Sequence, residues 1–300
     1  MTLSPGELLH GYELLQKVGV GGMSTVWKAR DTSSSQIVAL KILNDQFSDS
    51  VNDLQQFKEE AIAMNNISHI GIVKSEKFIE YPNAPFFVME FVDGYNFGQL
   101  LARKQHLTEA DSLLILESVA TALDFAWNEH GIVHCDIKPE NIMINSQGVV
   151  KITDLGLCHT FKRAFANDNA PISKHVYGTP AYISPEQVYG DVQLDCRADI
   201  YSLAATIYHL ATGRVLFPNI DAEASMLAHC DETKQGKDPR VYRPALSKGF
   251  CQLLEAMLVK NRDFRISRWD QVYAMALDVE NELTFSARKD NSISSLSLNN

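Results

Sequence analysis

The residue types best able to do chemistry together fall in one octet, His134-Cys135-Asp136-Ile137-Lys138-Pro139-Glu140-Asn141. It follows a long amphipathic stretch and precedes the apolar run Ile142-Met143-Ile144, so it reads as a loop between a helix and a strand. The carboxylate of Asp136 suits the proton of an acceptor hydroxyl. The ammonium of Lys138 suits a transferring phosphoryl group, and the carboxamide of Asn141 suits a metal ion. Two earlier stretches offer partners. In Gly19-Val20-Gly21-Gly22-Met23-Ser24, between strand-like segments, bare backbone could approach a phosphate. A plain hairpin using glycine for positive φ explains that stretch equally well. Lys41 lies in the otherwise apolar strand Ile37–Leu43, on the same face as Ala39. Buried, it needs an anion such as a phosphate; reaching out from an edge strand, it needs none.

The elements that must position these groups follow from periodicity. Tyr12–Val18 alternates as a strand, and Val51–Asn65 reads as a helix with Leu54, Phe57, Ala61 and Met64 on one stripe. Glu60 borders that stripe within reach of Lys41; Glu59 competes, and helical phase leaves the choice open. Phe86–Val92 is a buried-strand pattern ending at Asp93-Gly94, where a lobe boundary is expected. Beyond it, Thr108 opens a helix with Leu116, Val119, Ala120, Leu123 and Trp127 on one face and Gly131 at its end. Val149–Thr153 is a short strand and Asp154-Leu155-Gly156 a turn. Leu157–Tyr177 is an irregular loop. Ile200–Ala211 is apolar nearly all round and reads as a buried helix. Amphipathic helices are expected over 247–260 and 267–282, with Ser247 and Ser267 as caps. From Ser286 onward small polar residues cannot bury enough apolar surface to fold alone.

Composition narrows the function classes. The 300 residues are 45% hydrophobic and 21% charged, an ordinary globular balance. A net charge of −10 argues against a general nucleic-acid or anionic-membrane binder. The five cysteines, Cys135, Cys158, Cys196, Cys230 and Cys251, form no C-x-x-C pair. They read as reduced thiols in the cytoplasm, with neither a disulfide framework nor a zinc site. Met1–His10 does not look like a signal peptide, and no apolar run approaches the ~18 residues of a membrane span.

In order along the chain, the glycine turn, Val38-Ala39-Leu40-Lys41, His134-Cys135-Asp136 with Asn141, Asp154-Leu155-Gly156 and Ser184-Pro185-Glu186 follow the protein-kinase signature. Over roughly Leu9 to Glu282 the chain resembles a eukaryotic-like (bacterial Hanks-type) serine/threonine protein kinase. The resemblance implies an α+β, bilobal fold within a domain of residues 1–283. A small β-rich N-lobe with one main helix would span about 9–93 and a larger, mainly helical C-lobe about 94–283, leaving 284–300 as a disordered tail or linker.

The same resemblance implies ATP and Mg2+, with Mn2+ able to substitute, and protein substrates bearing Ser or Thr hydroxyls. Val18 and the backbone of Gly19, Val20, Gly21, Gly22, Met23 and Ser24 would cover the nucleotide phosphates. Val26 and Ala39 would sandwich the adenine, Met143 would floor it, and Glu90 and Val92 would bond its edge behind a gatekeeper, Met89. Lys41, held by Glu60, would grip the α- and β-phosphates. Asp136 would take the acceptor proton, Lys138 would neutralise the γ-phosphoryl group, and Asn141 and Asp154 would hold the metal. Thr179 would brace Asp136 and Lys138, Glu186 would pair with Arg265, and Asp199 would anchor the catalytic loop. Thr160 and Ser173 are candidate phosphosites, and a transient homodimer would allow autophosphorylation. No nucleic-acid partner or membrane segment is expected.

Ser24, Leu155 and Ser184 replace a glycine, a phenylalanine and an alanine of the pattern, all small changes. Cys135 replaces an arginine that would pair with a phosphorylated loop. Weaker dependence on such phosphorylation is therefore expected, unless Lys162, Arg163 or Lys174 substitutes; a packed thiol is the default role for Cys135. A nucleotide-binding scaffold without transfer would predict loss of Lys41, Asp136, Asn141 or Asp154, and all four are present. Gly178–Glu186 reads as a platform for extended polypeptide, which argues against a small-molecule phosphotransferase.

Overall fold

The structure is a computed structural model describing residues 3–48, 50–81, 84–155, 178–191, 193–218 and 220–296. It forms two compact units. The first is built on an antiparallel six-stranded sheet ordered β1-β2-β3-β4-β6-β5. Its strands are β1 (Leu8–Leu9), β2 (Tyr12–Val20), β3 (Ser24–Asp31), β4 (Ile37–Leu43), β5 (Ser75–Ile79) and β6 (Phe86–Glu90). Period-two alternation sorts β4 between two faces. Val38, Leu40 and Ile42 join Leu14, Trp27, Phe86 and Val88 in one core. Ala39 and Lys41 take the opposite face.

The helix Val51–Asn65 forms as expected. The side chain of Ser50 caps it by accepting the Asp53 N–H, and Phe57, Glu60, Ala61 and Met64 are buried. Phe57 meets Phe87 of β6 with ring centroids 5.0 Å apart. Each large apolar side chain so buried contributes about 1.5–3 kcal/mol.

The glycine turn is tighter than the sequence suggested, because Gly19 and Val20 belong to β2 and Ser24 already to β3. The turn closes an antiparallel β2–β3 hairpin, but neither Gly21 nor Gly22 has positive φ, so torsional need does not explain these glycines. A Cβ on Gly22 would meet nothing within 4 Å. Gly22 thus supplies bare backbone beside open space, whereas a Cβ on Gly21 would lie 3.3 Å from the Ser24 carbonyl oxygen.

The expected single boundary at residue 93 is corrected. The first unit takes the described residues up to Tyr95 and, in addition, those from Met143 to Leu155; the second takes Asn96–Ile142 and the described residues from Gly178 onward. Long-range pairing is the reason. Val73 N–H donates to the Ile152 carbonyl at 2.9 Å, Ile152 N–H to Gly71 at 2.8 Å, and Ser146 N–H to Asp93 at 2.9 Å. Gly94 allows that approach, since a Cβ there would lie 1.9 Å from the Ile144 carbonyl oxygen.

The second unit is mainly helical. The helix Glu109–His130 is capped by Thr108, whose side chain accepts the Asp111 N–H at 3.1 Å, and by Gly131 at φ 60°. The helix Cys196–Thr212 is buried along nearly its whole length and ends at Gly213, φ 73°. Ser247 caps Lys248–Met257 as expected and also donates to Glu109 Oε1 at 2.5 Å. The last helix, Trp269–Leu296, departs from expectation twice. Ser267 lies before its first turn rather than at the cap, and the helix continues past residue 283. Residues 284–296 contain no glycine or proline to break it; polar composition limits burial, not local backbone geometry. Among the described residues no helix is long and apolar enough to cross a membrane.

Two histidines in this unit should couple its stability to pH. His209 Nδ1 meets Tyr182 Oη at 2.7 Å and His229 Nδ1 meets Tyr201 Oη at 2.8 Å. Burial lowers each pKa to about 4. The unfolded chain, whose histidines titrate near 6.5, therefore binds protons that the folded chain refuses between these values. Stability should be fully present above pH ~6.5 and fall towards pH 4, by up to ~1.4 kcal/mol per pH unit for each histidine. Denaturant unfolding at pH 7 and pH 5 checks this: a His209→Gln, His229→Gln variant should lose less stability across that interval than the wild type. Equal losses would show that these histidines are not the coupled groups.

Candidate active site

Within the first unit, Lys41 Nζ donates to Glu60 Oε1 at 2.5 Å and to Asp154 Oδ1 at 2.7 Å. Glu60 is thus chosen over Glu59, which accepts from Gln55 Nε2 at 2.8 Å on the helix surface. The ammonium also sits 5.5 Å above the Phe87 ring. Burial acts to lower the Lys41 pKa, but the carboxylates of Asp154 and Glu60 outweigh it and hold the pKa above its ordinary value. Lys41 is therefore a fixed cation at any physiological pH. Asp154 has φ 60°, a left-handed conformation uncommon outside glycine and characteristic of constrained sites.

Of the residues expected around an adenine, Ala39, Met89 and Val92 are buried and Val26, Glu90 and Met143 are half-buried; Val18, expected beside the phosphates, is exposed. The sequence reading missed Lys151 of the strand Val150–Ile152. It is buried and reaches Glu90 at 2.9 Å. Its signal was a lysine in an otherwise apolar strand, the argument already applied to Lys41.

Within the second unit, Asp136, Lys138, Asn141 and Thr179 form one knot. Thr179 Oγ1 donates to Asp136 Oδ1 at 2.7 Å, and Lys138 Nζ donates to Asp136 Oδ2 at 2.7 Å and to Thr179 Oγ1 at 2.8 Å. Asn141 Nδ2 donates to the Asp136 carbonyl at 2.9 Å and to Oδ2 at 3.1 Å. The carboxylate is thereby fixed by three side chains. Beneath it, Asp199 accepts the backbone N–H groups of His134 at 2.7 Å and Cys135 at 2.9 Å. Burial still pushes the Asp199 carboxyl above its ordinary pKa. Arg265 reaches Glu186 through both terminal nitrogens, at 2.6 and 3.0 Å.

A second missed residue, Gln187, donates to the Cys135 carbonyl at 2.6 Å while its side-chain oxygen accepts the Ser184 N–H at 3.2 Å. Ser184-x-x-Gln187 is a capping box that could have been read from the sequence. Gly178 at φ 128° lets the chain pass the Cys135 carbonyl, which would lie 3.1 Å from a Cβ.

Cys135 is buried and adopts φ 66°, and Cys196, Cys230 and Cys251 are free thiols. Thr160 and Ser173, with Lys162, Arg163 and Lys174, lie outside the described residues.

The protein kinase domain family matches residues 12–277. This chain belongs to that family. The kinase domain is 30% identical over 280 residues to a probable serine/threonine-protein kinase PknB of Lactococcus lactis, covering 92% of this chain and 43% of that protein. It is 37% identical over 228 residues to a serine/threonine-protein kinase PknA of Corynebacterium glutamicum, covering 74% and 47%. For PknA of Mycobacterium tuberculosis the identity is 33% over 273 residues, covering 88% and 60%. The kinase domain thus spans less than two thirds of the length of these curated relatives. Among solved structures, the PknI kinase domain of Mycobacterium tuberculosis superposes with a TM-score of 0.72 at 22% identity, covering 93% of this chain and all of that one. That likeness supports the α+β fold.

Oxygen donors fit a hard divalent cation such as Mg2+. The kinase domain offers the Asp154 carboxylate in one unit and the Asn141 carboxamide in the other. Asn141 turns its amide nitrogen to Asp136, so its oxygen is the atom a cation would take.

Proposed function

We propose that this chain catalyses transfer of the ATP γ-phosphoryl group to serine and threonine hydroxyls of proteins. The observation that supports this reading most is Asp136, a carboxylate held in place by Thr179, Lys138 and Asn141 and so able to serve as acceptor base. The acceptor hydroxyl would give its proton to Asp136 as its oxygen bonds the γ-phosphorus. The bond from that phosphorus to the β,γ-bridging oxygen breaks, and ADP leaves. Lys138 would offset charge on the transferring group. Lys41, already cationic and held by Glu60, would grip the α- and β-phosphates beneath the bare backbone of Gly21 and Gly22. Val26, Ala39, Met89, Glu90, Val92 and Met143 would receive the adenine. Mg2+, taken by Asn141 and Asp154, would neutralise phosphate charge and align the phosphates. Positioning and charge stabilisation carry the rate.

Protein substrates, a cytoplasmic setting and autophosphorylation through a transient homodimer belong to the same proposal. The test is incubation with γ-labelled ATP, Mg2+ and a generic basic protein, with and without EDTA. Label should enter protein only where Mg2+ is available. Bound nucleotide with no transfer would make the chain a scaffold instead.

A further inference from the structure

A buried lysine on the strand Val150–Ile152 has no part in the mechanism above. Lys151 Nζ lies 2.9 Å from Glu90 Oε1 and 3.0 Å from Oε2, so it grips both carboxylate oxygens. The lysine side chain is 10% exposed and the glutamate 37%. Strand Val150–Ile152 is itself held, since Ile152 exchanges backbone bonds with Gly71 and Val73 at 2.8 and 2.9 Å. Glu90 is the last residue of β6, and its N–H donates to the Lys74 carbonyl at 2.9 Å. One residue further on, Lys28 of β3 places its ammonium 4.6 Å above the Phe91 ring. The short segment Glu90–Val92 is therefore clamped by two lysines from different strands, one on a carboxylate and one on an aromatic face.

We propose that Lys151 is a positioning residue for nucleotide binding: through Glu90 it fixes the backbone segment that receives the adenine edge. This rests on the ATP reading above and deepens it. Lys151 touches neither phosphate nor acceptor in that reading, so its loss should weaken adenine recognition and spare the chemical step.

The experiment compares wild type, Lys151→Met, Lys151→Arg, Glu90→Gln and the double variant Lys151→Met, Glu90→Gln. KM for ATP and kcat come from initial rates, and binding of adenosine and of inorganic tripolyphosphate from calorimetry. Lys151→Met should raise KM for ATP and weaken adenosine about five- to tenfold, with kcat changed less than twofold and tripolyphosphate unaffected. Lys151→Arg should recover most of the loss. The double variant should resemble either single one, because both remove the same contact.

Equal adenosine affinity in wild type and Lys151→Met, or a fall in kcat at constant KM, would overturn the inference. If Lys151→Met does not fold, Glu90→Gln breaks the same bridge from its exposed side, and unchanged adenosine affinity there overturns it equally. A wild-type protein that binds neither adenosine nor ATP would instead sink the underlying ATP reading.

Discussion

Asp136→Asn is expected to lower phosphoryl transfer by about 10³-fold while leaving ATP affinity within about twofold. The substitution preserves shape but removes the proton acceptor. It also disturbs the knot. In the wild type Oδ1 accepts from Thr179 and Oδ2 from both Lys138 and Asn141. An amide nitrogen facing Lys138 and Asn141 would set donor against donor, so the amide should turn its nitrogen to Thr179 Oγ1 and keep its oxygen on the other side. The fold should survive, and the loss should appear in kcat. Initial rates at saturating ATP, with nucleotide affinity measured separately, check this. A variant retaining more than a tenth of wild-type transfer would show that Asp136 is not the acceptor base.

Arg265→Met is expected to destabilise the second unit by about 3–5 kcal/mol, since it strands the Glu186 carboxylate in a buried site. The pair is almost wholly removed from solvent, with side-chain exposures of 0% and 6%. Arg265 also uses its remaining donors. Nε bonds the Val259 carbonyl at 2.6 Å, and the two terminal nitrogens bond the carbonyls of Arg197 at 2.7 Å and Lys260 at 2.9 Å. Its guanidinium carbon lies 4.9 Å from the centre of the Tyr201 ring. Lysine, a compact charge with three donors, cannot reproduce that fork. Arg265→Lys should therefore recover little of the loss. Removing both charges with Arg265→Met, Glu186→Leu should give a more stable protein than Arg265→Met alone. Urea titrations of the three variants check the order. If the double variant proved less stable than the single one, the stranded carboxylate would not be the source of the cost.

Much of this was legible because the deciding physics is local. Helix Val51–Asn65 carries its own cap and stripe, Glu109–His130 its Thr108 and Gly131, and Cys196–Thr212 a run, Ile200–Ala211, that is apolar nearly all round. Where two readings shared the same local pattern, tertiary contact decided. Glu59 and Glu60 are equivalent by phase until Lys41 is seen to reach Glu60. Gly21 and Gly22 close the β2–β3 hairpin, and only their φ values show that it places no torsional need on glycine. Residues separated by long stretches were the hardest. Met143–Leu155 joins the first unit through Val73, Gly71 and Asp93, and Lys151 pairs with a residue 61 positions away. The last helix runs on to Leu296 for a different reason, since composition spoke to burial and the backbone needed only the absence of breakers.

The central claim is tested most directly by identifying the amino acid that receives the label. Wild-type protein is incubated with γ-labelled ATP, Mg2+ and a generic basic protein, and the labelled product is hydrolysed to amino acids. Phosphoserine and phosphothreonine from the wild type, with neither from Asp136→Asn, is the result this account predicts. Label confined to phosphotyrosine, or ATP bound tightly with no labelled amino acid at all, would contradict it.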